Sequence, residues 1–588
     1  MILYDFEVFS HNWLVVFKDT EKRNETVIID DADALEQFHT AHKHEIWVGF
    51  NSRNYDQYIL KAILCGFDPK QVNDYIITKG QPGWKFSSLF RRIVINNYDV
   101  MMNIDRGLKT FEGFMGNDIK ESSVPFDVDR PLTDEEIEET VKYCRHDVEQ
   151  TMEIFLQRIN EFEAKRGLVR IASGNKALDL SLISMTNPQL SALILGASKH
   201  EWNDEFDIDF PSTMRIEKYT AVLDWYNDPE NRKYKVNPKN PKSKNHNLEI
   251  MVAGVPHVFG WGGIHGALTK YHKRGYFLNM DVSSLYPSLM IKYNLGSRSM
   301  KNPDKYEEIY TQRLQYKQDG NPLQAALKLV LNSTYGVMKE KTNALFDPRQ
   351  ANRVCIYGQI LLLDLIERLE PHIELIQSNT DGVLIRMPDG ENKDEWFDLI
   401  DDICYEWEQR TSLILDEFEE FQEVFQKDVN NYVLIPTGEL YDNKGEPRWK
   451  TRGGYVKKLS PLDYDLPIVN KALVNYMVHG IPVEQTINEC HELKEFQLVT
   501  KISSKYTHIM HGDTRIKEKC IRVFASIAET DGGLQKIHAV TGRPAKIPNS
   551  PLNCYLSNGD INGVKVPNKL NKQWYIDLAN KRLGDFGK

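Results

Sequence analysis

The chain has 588 residues, 41% hydrophobic and 27% charged, with a formal net charge of −11. That length exceeds what one hydrophobic core organises and points to several domains. No apolar run approaches the ~20 residues that span a bilayer. Seven scattered cysteines without a Cys-x-x-Cys pair argue for a reducing compartment and against a disulfide framework or a structural zinc site. The charge is uneven: from Lys427 onward 24 Lys+Arg face 17 Asp+Glu, a balance of +7 against −18 for the preceding part. A basic C-terminal region behind an acidic body suits a polyanion held by one part and carboxylate chemistry in the other.

The opening Met-Ile-Leu-Tyr-Asp-Phe-Glu lacks the basic and long apolar regions of a signal peptide, and residues 1–8 and 13–17 read as strands. Side chains alternate along a strand, so Asp5 and Glu7 share a face, where two carboxylates repel unless a cation neutralises them. Residues 44–50 form another strand. Asn51-Ser-Arg-Asn-Tyr55-Asp56 then leads into a helical stretch at 57–65. Asp99, in the strand-like 94–100, reads as structural. Tyr143-Cys-Arg-His-Asp147 lies in a helical run that begins near Asp134, and the four-residue spacing puts Tyr143 and Asp147 on one face. A metal-assisted nuclease needs several carboxylates around two cations ~4 Å apart, with a group to orient the attacking water.

Residues 167–195 are helical in pattern with a break at Asn187-Pro188, and the Pro/Lys/Asn stretch 237–245 reads as a surface loop. Phe259-Gly-Trp-Gly-Gly-Ile-His-Gly266 holds four glycines in eight positions, which lets backbone approach something bulky. Residues 275–280 read as a buried strand delivering Asp281, followed by a turn at 283–285 into a helix at 287–293. Backbone N–H groups at such a junction suit phosphate. Helices at 304–317 and 323–338 flank the turn Gln318-Asp-Gly-Asn-Pro322 and form an antiparallel pair. Arg313 and Lys317 share a face of the first; Lys328, Asn332 and Tyr335 share a face of the second. Cations there fit the β- and γ-phosphates of a nucleotide. The strand-like 373–377 and 383–387 flank Ser378-Asn-Thr-Asp-Gly382, which taken alone is also a plain hairpin turn. Residues 467–588 read as mostly helical and lysine-studded, which suits contacts to phosphate that ignore sequence.

Asp281-Val-Ser-Ser-Leu-Tyr-Pro-Ser288, Lys328-Leu-Val-Leu-Asn-Ser-Thr-Tyr-Gly336 and Ser378-Asn-Thr-Asp-Gly382, in that order, resemble motifs A, B and C of the family B DNA polymerases of bacteriophage type. The stretches around Asp5/Glu7, Asp56 and Tyr143/Asp147 are similar to the three motifs of DnaQ-like 3′–5′ exonucleases. The resemblance implies an α/β and α+β multidomain chain: an RNase H-like exonuclease followed by a right-hand polymerase with an antiparallel palm sheet, two-helix fingers and a mainly helical thumb. The boundaries it implies are exonuclease 1–165, a connecting region 166–255, palm 256–301 and 346–466, fingers 302–345 and thumb 467–588.

By the same resemblance Asp281, Asp381 and the Val282 carbonyl bind metal in one site, and Asp5, Glu7, Asp56 and Asp147 in the other, where Tyr143 positions water. Ser284, Leu285, Arg313, Lys317, Lys328, Asn332 and Tyr335 hold the dNTP, with Tyr286 excluding a 2′-hydroxyl. Asn51, Tyr55, Gly262, Gly263, Thr380, Lys427, Tyr432, Lys450 and Arg452 contact DNA. Lys120 falls where some relatives carry a catalytic lysine. The expected cofactor is Mg²⁺, two ions per site, with Mn²⁺ able to substitute. The expected partners are primer-template DNA, dNTPs and a phage single-strand-binding protein, helicase and primase. The expected setting is a monomer in the cytoplasm of an infected bacterial host, away from membrane. Lys328 follows Asp281 by only 47 positions, which leaves little room for the insertion of protein-primed relatives and implies a nucleic-acid primer. Asn379 stands where the commoner pattern has a first aspartate, which keeps open a second reading: an exonuclease attached to a weak or inactive polymerase-like module.

Overall fold

The computed structural model describes residues 1–20, 24–101, 106–174, 177–530 and 532–588. The chain forms two compact units: 1–186 with 459–468 and 488–575, and 187–458 with 469–487 and 576–588.

In the first unit Ile2, Tyr4, Phe6 and Val8 of the strand Ile2–Val8 enter one core with Val15, Phe17 and Trp47. The alternation leaves Asp5 and Glu7 on the other face. The sheet runs Glu25–Ile29, Trp13–Asp19, Ile2–Val8, Ile46–Gly49, Asn96–Asp99. Its first two pairings are antiparallel and its last two parallel. The helix Asp134–Gln157 starts at a capping box, in which Thr133 accepts from the Glu136 N–H and Glu136 accepts from the Thr133 N–H. It packs on Ile2–Val8 and Trp13–Asp19, which carries Tyr143 and Asp147 to the carboxylate face.

The expectation of a mainly helical 467–588 is corrected. Helices occur at Pro467–His479, Val483–Glu489 and Lys572–Gly584, but strands occupy most of what lies between Leu498 and Leu556. A three-stranded sheet runs Leu498–Lys501, Cys520–Ala525, Cys554–Leu556, and a four-stranded one runs Thr514–Ile516, Tyr506–His511, Leu534–His538, Pro544–Lys546. The physical reason lies in residue type: Ile521, Val523 and Phe524 are buried β formers, and the hairpin between Tyr506–His511 and Thr514–Ile516 turns at Gly512-Asp513, with Gly512 at φ +57°. Lysine content does not distinguish an exposed strand from an exposed helix. The helix Leu108–Met115, buried from Thr110 onward, packs on Leu498–Lys501 and Cys520–Ala525. Arg522, with no exposed surface, donates to the carbonyls of Gly113, Asn117, Ser557 and Gly559.

The second unit is built on an antiparallel nine-stranded sheet among the described residues. Its order is Lys450–Arg452, Asn431–Pro436, Glu419–Asp428, Tyr271–Asp281, Gly382–Arg386, Glu374–Asn379, His265–Ala267, Val255–Phe259, Leu248–Val252. The buried helix Pro348–Leu369 lies against Lys393–Thr411, whose Trp407 Nε1 donates to the Leu361 carbonyl. Asp364, fully buried, accepts from Arg410 at 2.8 and 3.0 Å and from Arg368 at 3.2 Å. The expected helix pair is present as Asp304–Gln318 and Leu323–Val337, antiparallel and tied where Tyr306 donates to the Leu331 carbonyl. No described helix is long and apolar enough to cross a membrane.

Candidate functional site

Two clusters gather the residues singled out by sequence, one in each unit. In the second unit the long strand Tyr271–Asp281 ends at Asp281, directly opposite Gly382 of the neighbouring strand. The tight turn Asn379–Gly382, with Thr380 at φ +54°, sets Asp381 beside it. The Val282 N–H donates to the Asp381 carbonyl at 2.7 Å, locking turn to strand end. A Cβ on Gly382 would stand 1.9 Å from Asp281 Oδ1, so the two strands meet this closely only with glycine there. Burial raises the pKa of Asp281, the neighbouring Asp381 raises it further, and Lys450 opposes both. Burial likewise raises Asp381, with Arg452 pulling down and Asp416 pushing up. A partly buried carboxylate beside an exposed one that disfavours its charge makes a site suited to a hard divalent cation, for which oxygen donors are the preferred ligands.

Next to them lies a cavity of about 260 Å³, lined by Ser284, Leu285, Tyr286, Arg313, Lys328, Asn332, Tyr335, Thr380 and Asp381, with Pro287 and Leu331. Residues far apart in sequence thus share one pocket. Ser284 caps the helix Leu285–Lys292 in a left-handed conformation, φ 49°, ψ 51°, so the first N–H groups of that helix stand free of intrahelical partners. Tyr286 and Tyr335 are in ring contact at 4.2 Å. The Nε of Arg313 is buried without a protein partner. Lys317 is exposed and does not line the cavity, being one turn, ~6 Å, further along its helix.

Gly262 and Gly263 line a separate groove of about 250 Å³ with Tyr234, Trp261 and His265. A Cβ on Gly263 would meet Thr380 Oγ1 at 2.8 Å. Lys427 pairs with Asp428 at 3.1 Å and lies over the Tyr455 ring, and Tyr432 sits opposite Arg452 in the sheet. Asn379 keeps its side-chain oxygen 3.2 Å from His265 Nδ1. Sequence reasoning missed Glu419, which joins Asn279 (3.1 Å) and Lys450 beside Asp281, and Asp416, whose N–H donates to the Asp281 carbonyl at 2.8 Å. It expected Lys450 and Arg452 to face a DNA duplex; in the structure they act electrostatically on Asp281 and Asp381.

In the first unit Asp5, Glu7, Asp56 and Asp147 come together. Glu7, Asp56 and Asp147 are all buried, and Phe6 N–H donates to Asp56 Oδ1 at 3.1 Å. Burial and mutual repulsion push Asp5 and Glu7 well above the carboxylate range and Asp56 up to about 7. Asp147 is raised by burial, against the pull of Lys109. The Lys109 ammonium lies 2.6 Å from Asp147 Oδ1 and 3.0 Å from Glu112 Oε1, and over the Tyr143 ring. This corrects Lys120, which is exposed; Lys109 is the lysine at the cluster. A signal existed, since Lys109 and Glu112 are three apart on a short helix, but nothing local tied them to Asp147.

The Cys144 thiol, its pKa raised by burial, donates to the Asp5 carbonyl at 3.2 Å. Its sulfur lies close enough to the Asp5 and Glu7 carboxylates for the three to share one ion. Tyr55, raised by burial and by Asp56, Glu7 and Asp5, stands at the cluster with its hydroxyl donating to Asn73 at 2.8 Å. Asn51 sits in the adjoining turn at φ 58°, its side-chain oxygen accepting from Asn54. Asp99 accepts from the N–H groups of Asn51, Arg53 and Met101 at 2.9–3.1 Å, the structural task expected of it.

No protein-family profile and no curated protein matches the chain. Among solved structures it is similar to that of the family B DNA polymerase from the hyperthermophilic archaeon Pyrobaculum calidifontis, at 13% identity and a TM-score of 0.40, over all of this chain and 78% of that one. At that score the likeness decides neither fold nor activity.

Proposed function

We propose that the chain is a template-directed DNA polymerase of the family B kind, with a 3′–5′ exonuclease in its first unit. The observation that carries this reading is the convergence of Asp281, Asp381 and the cavity between the Tyr286 helix and the Lys328 helix. In this reading Lys328 and Arg313 draw the triphosphate of a dNTP into the cavity, and the free N–H groups of Ser284 and Leu285 receive its oxygens. Tyr335 and Asn332 bear on the nascent base pair, and Tyr286 stands under the sugar. The primer 3′-oxygen attacks the α-phosphorus, the bond to the β-phosphate oxygen breaks, and pyrophosphate leaves.

Asp281 and Asp381 would hold Mg²⁺ here, and Asp5, Glu7, Asp56 and Asp147 would hold it in the nuclease; burial disfavours the ionised carboxyls in each set, and a bound cation would favour them. Bound divalent ions supply acidity to the attacking hydroxyl or water and charge to the leaving oxygen. In the nuclease Tyr143, four residues before Asp147, orients water, and Lys109 steadies Asp147. The mixed five-stranded sheet carrying Asp5 and Glu7 supports the RNase H-like assignment.

Asn379 favours one alternative: a nuclease with a weak or inactive polymerase-like module. Primer extension on a recessed DNA template with Mg²⁺ and dNTPs, in a background of Asp5→Ala, separates the two. Extension that disappears with Asp381→Ala supports the polymerase. Absent extension by the Asp381 parent with duplex binding intact supports the alternative.

A further inference from the structure

We infer that Cys355, which lies behind the nucleotide cavity and does not line it, sets how strictly the cavity selects deoxyribose, by fixing Tyr335 and through it Tyr286. The inference rests on the polymerase reading and concerns what holds the sugar-facing tyrosine in place. Tyr286 and Tyr335 come from two different helices, Leu285–Lys292 and Leu323–Val337, and meet only by their side chains, at 4.2 Å and 41°. Ring contact of this kind is broad in angle and leaves each tyrosine free to slide on the other. A gate that excludes one hydroxyl group needs tighter placement than that.

The fixed point is the hydroxyl of Tyr335, 2.6 Å from Cys355 Sγ. Tyr335 in turn carries the Tyr286 ring on its own, so a restraint on the Tyr335 hydroxyl is passed to Tyr286 through the ring contact. Burial raises both tyrosine pKa values, which keeps the hydroxyls protonated and able to donate. Cys355 is 2% exposed on the helix Pro348–Leu369, whose residues are buried on nearly every side. Its sulfur is therefore held by the packing of the whole helix.

The turn that follows Cys355 holds the start of the Tyr286 helix and the neighbouring glycine segment. A Cβ on Gly358 would lie 3.3 Å from Leu285 Cδ2, so the helix is in contact with the first residue of the Tyr286 helix. Gln359, 1% exposed, accepts from the Tyr226 hydroxyl at 2.9 Å and donates to the carbonyl of Gly260 at 2.8 Å. The Pro348–Leu369 helix is thus a rigid backing, and Cys355 is the point at which it meets Tyr335. A small buried cysteine often serves only as an apolar filler; that role needs volume, whereas the role inferred here needs a hydrogen-bonding atom.

The two are separated by single-nucleotide incorporation of dNTP and rNTP with the full chain carrying Asp5→Ala. Cys355→Val keeps the bulk and removes the partner; Cys355→Ser keeps a hydrogen-bonding atom. Loss of one hydrogen bond of this kind should lower the dNTP-over-rNTP ratio of kcat/KM roughly three- to tenfold in Cys355→Val, while Cys355→Ser stays within about twofold of the parent. The change is expected mainly in the KM for rNTP. Tyr335→Phe should match Cys355→Val. Equal effects of Val and Ser, or no effect of either, would overturn the inference with the polymerase reading intact. A parent that incorporates no dNTP would remove that reading and this inference together.

Discussion

Lys109 shows how one residue balances a site. Burial and neighbouring carboxylates disfavour charge on Asp5, Glu7, Asp56 and Asp147, and Lys109, with a smaller pull from His146, opposes this at Asp147. Lys109→Gln removes that opposition, so Asp147 becomes harder to ionise. Nuclease activity at pH 7 is expected to fall about 10²-fold, with the acidic limb of the pH profile moving to higher pH; an unchanged limb would refute the pairing. The same cluster has a consequence for stability. A carboxyl whose folded pKa is raised contributes stability that is fully present below its unfolded pKa and lost as pH rises through the folded value, about 7 for Asp56. In EDTA this cluster therefore destabilises the first unit above pH 7. Asp5→Asn should regain about 1–2 kcal/mol at pH 8 and little near pH 4. Mg²⁺ should raise the Tm of the parent more at pH 8 than at pH 5.5. Thermal melts across that range check both, and a gain independent of pH would count against the repulsion.

At the scale of elements, the Asp281/Asp381 site depends on two strands that meet without a side chain between them. Gly382 faces Asp281, and an added Cβ would meet Asp281 Oδ1 at 1.9 Å and the Met280 carbonyl at 2.9 Å. The carboxylate can swing aside, but the backbone oxygen cannot. Gly382→Ala is expected to displace Asp281 and lower extension about 10²-fold, since misplacement by ~1 Å costs that much. Duplex binding by the same variant should hold, because the cationic surfaces are untouched; lost binding would mean that the turn as a whole had collapsed. The helix bearing Tyr143 and Asp147 carries a local signal of its own at its N-terminal end. Thr133 and Glu136 cap it reciprocally, and Thr133→Ala should cost about 1 kcal/mol in a urea melt with the carboxylate cluster otherwise intact.

Across the whole molecule, the first unit is drawn from three separated segments. The N-terminal 186 residues do not complete their own core. The helix Leu108–Met115 buries its side chains against strands supplied by residues 498–525, and Arg522 ties the carbonyls of Gly113 and Asn117 to those of Ser557 and Gly559. Arg522→Ala removes the shared donor of four carbonyls, the buried Gly113 among them, and a loss of about 3 kcal/mol is expected in chemical unfolding followed by far-UV circular dichroism. A fragment of residues 1–186 alone should fail to fold to a cooperative state. A sharp melt from that fragment would show that the strands at 498–556 are an accessory.

What the sequence determined by itself was whatever has a short period. Alternation put Asp5 and Glu7 on one strand face, four-residue spacing put Tyr143 with Asp147 and Lys328 with Asn332, and Asp281 and the Asn379–Gly382 turn were legible as a strand end and a hairpin. The antiparallel helices at 304–318 and 323–337 followed from their turn. These are local properties, because dihedral preferences and side-chain direction repeat every two or 3.6 residues. Tertiary structure alone decided which distant side chains meet: Lys109 in place of Lys120 at Asp147, Lys450 and Glu419 beside Asp281, Cys355 behind Tyr335. It also decided that residues 498–556 form strands completing the N-terminal unit. Such partners lie far apart in the chain, and the free energy that joins them comes from burial and pairing that exist only once both segments are folded.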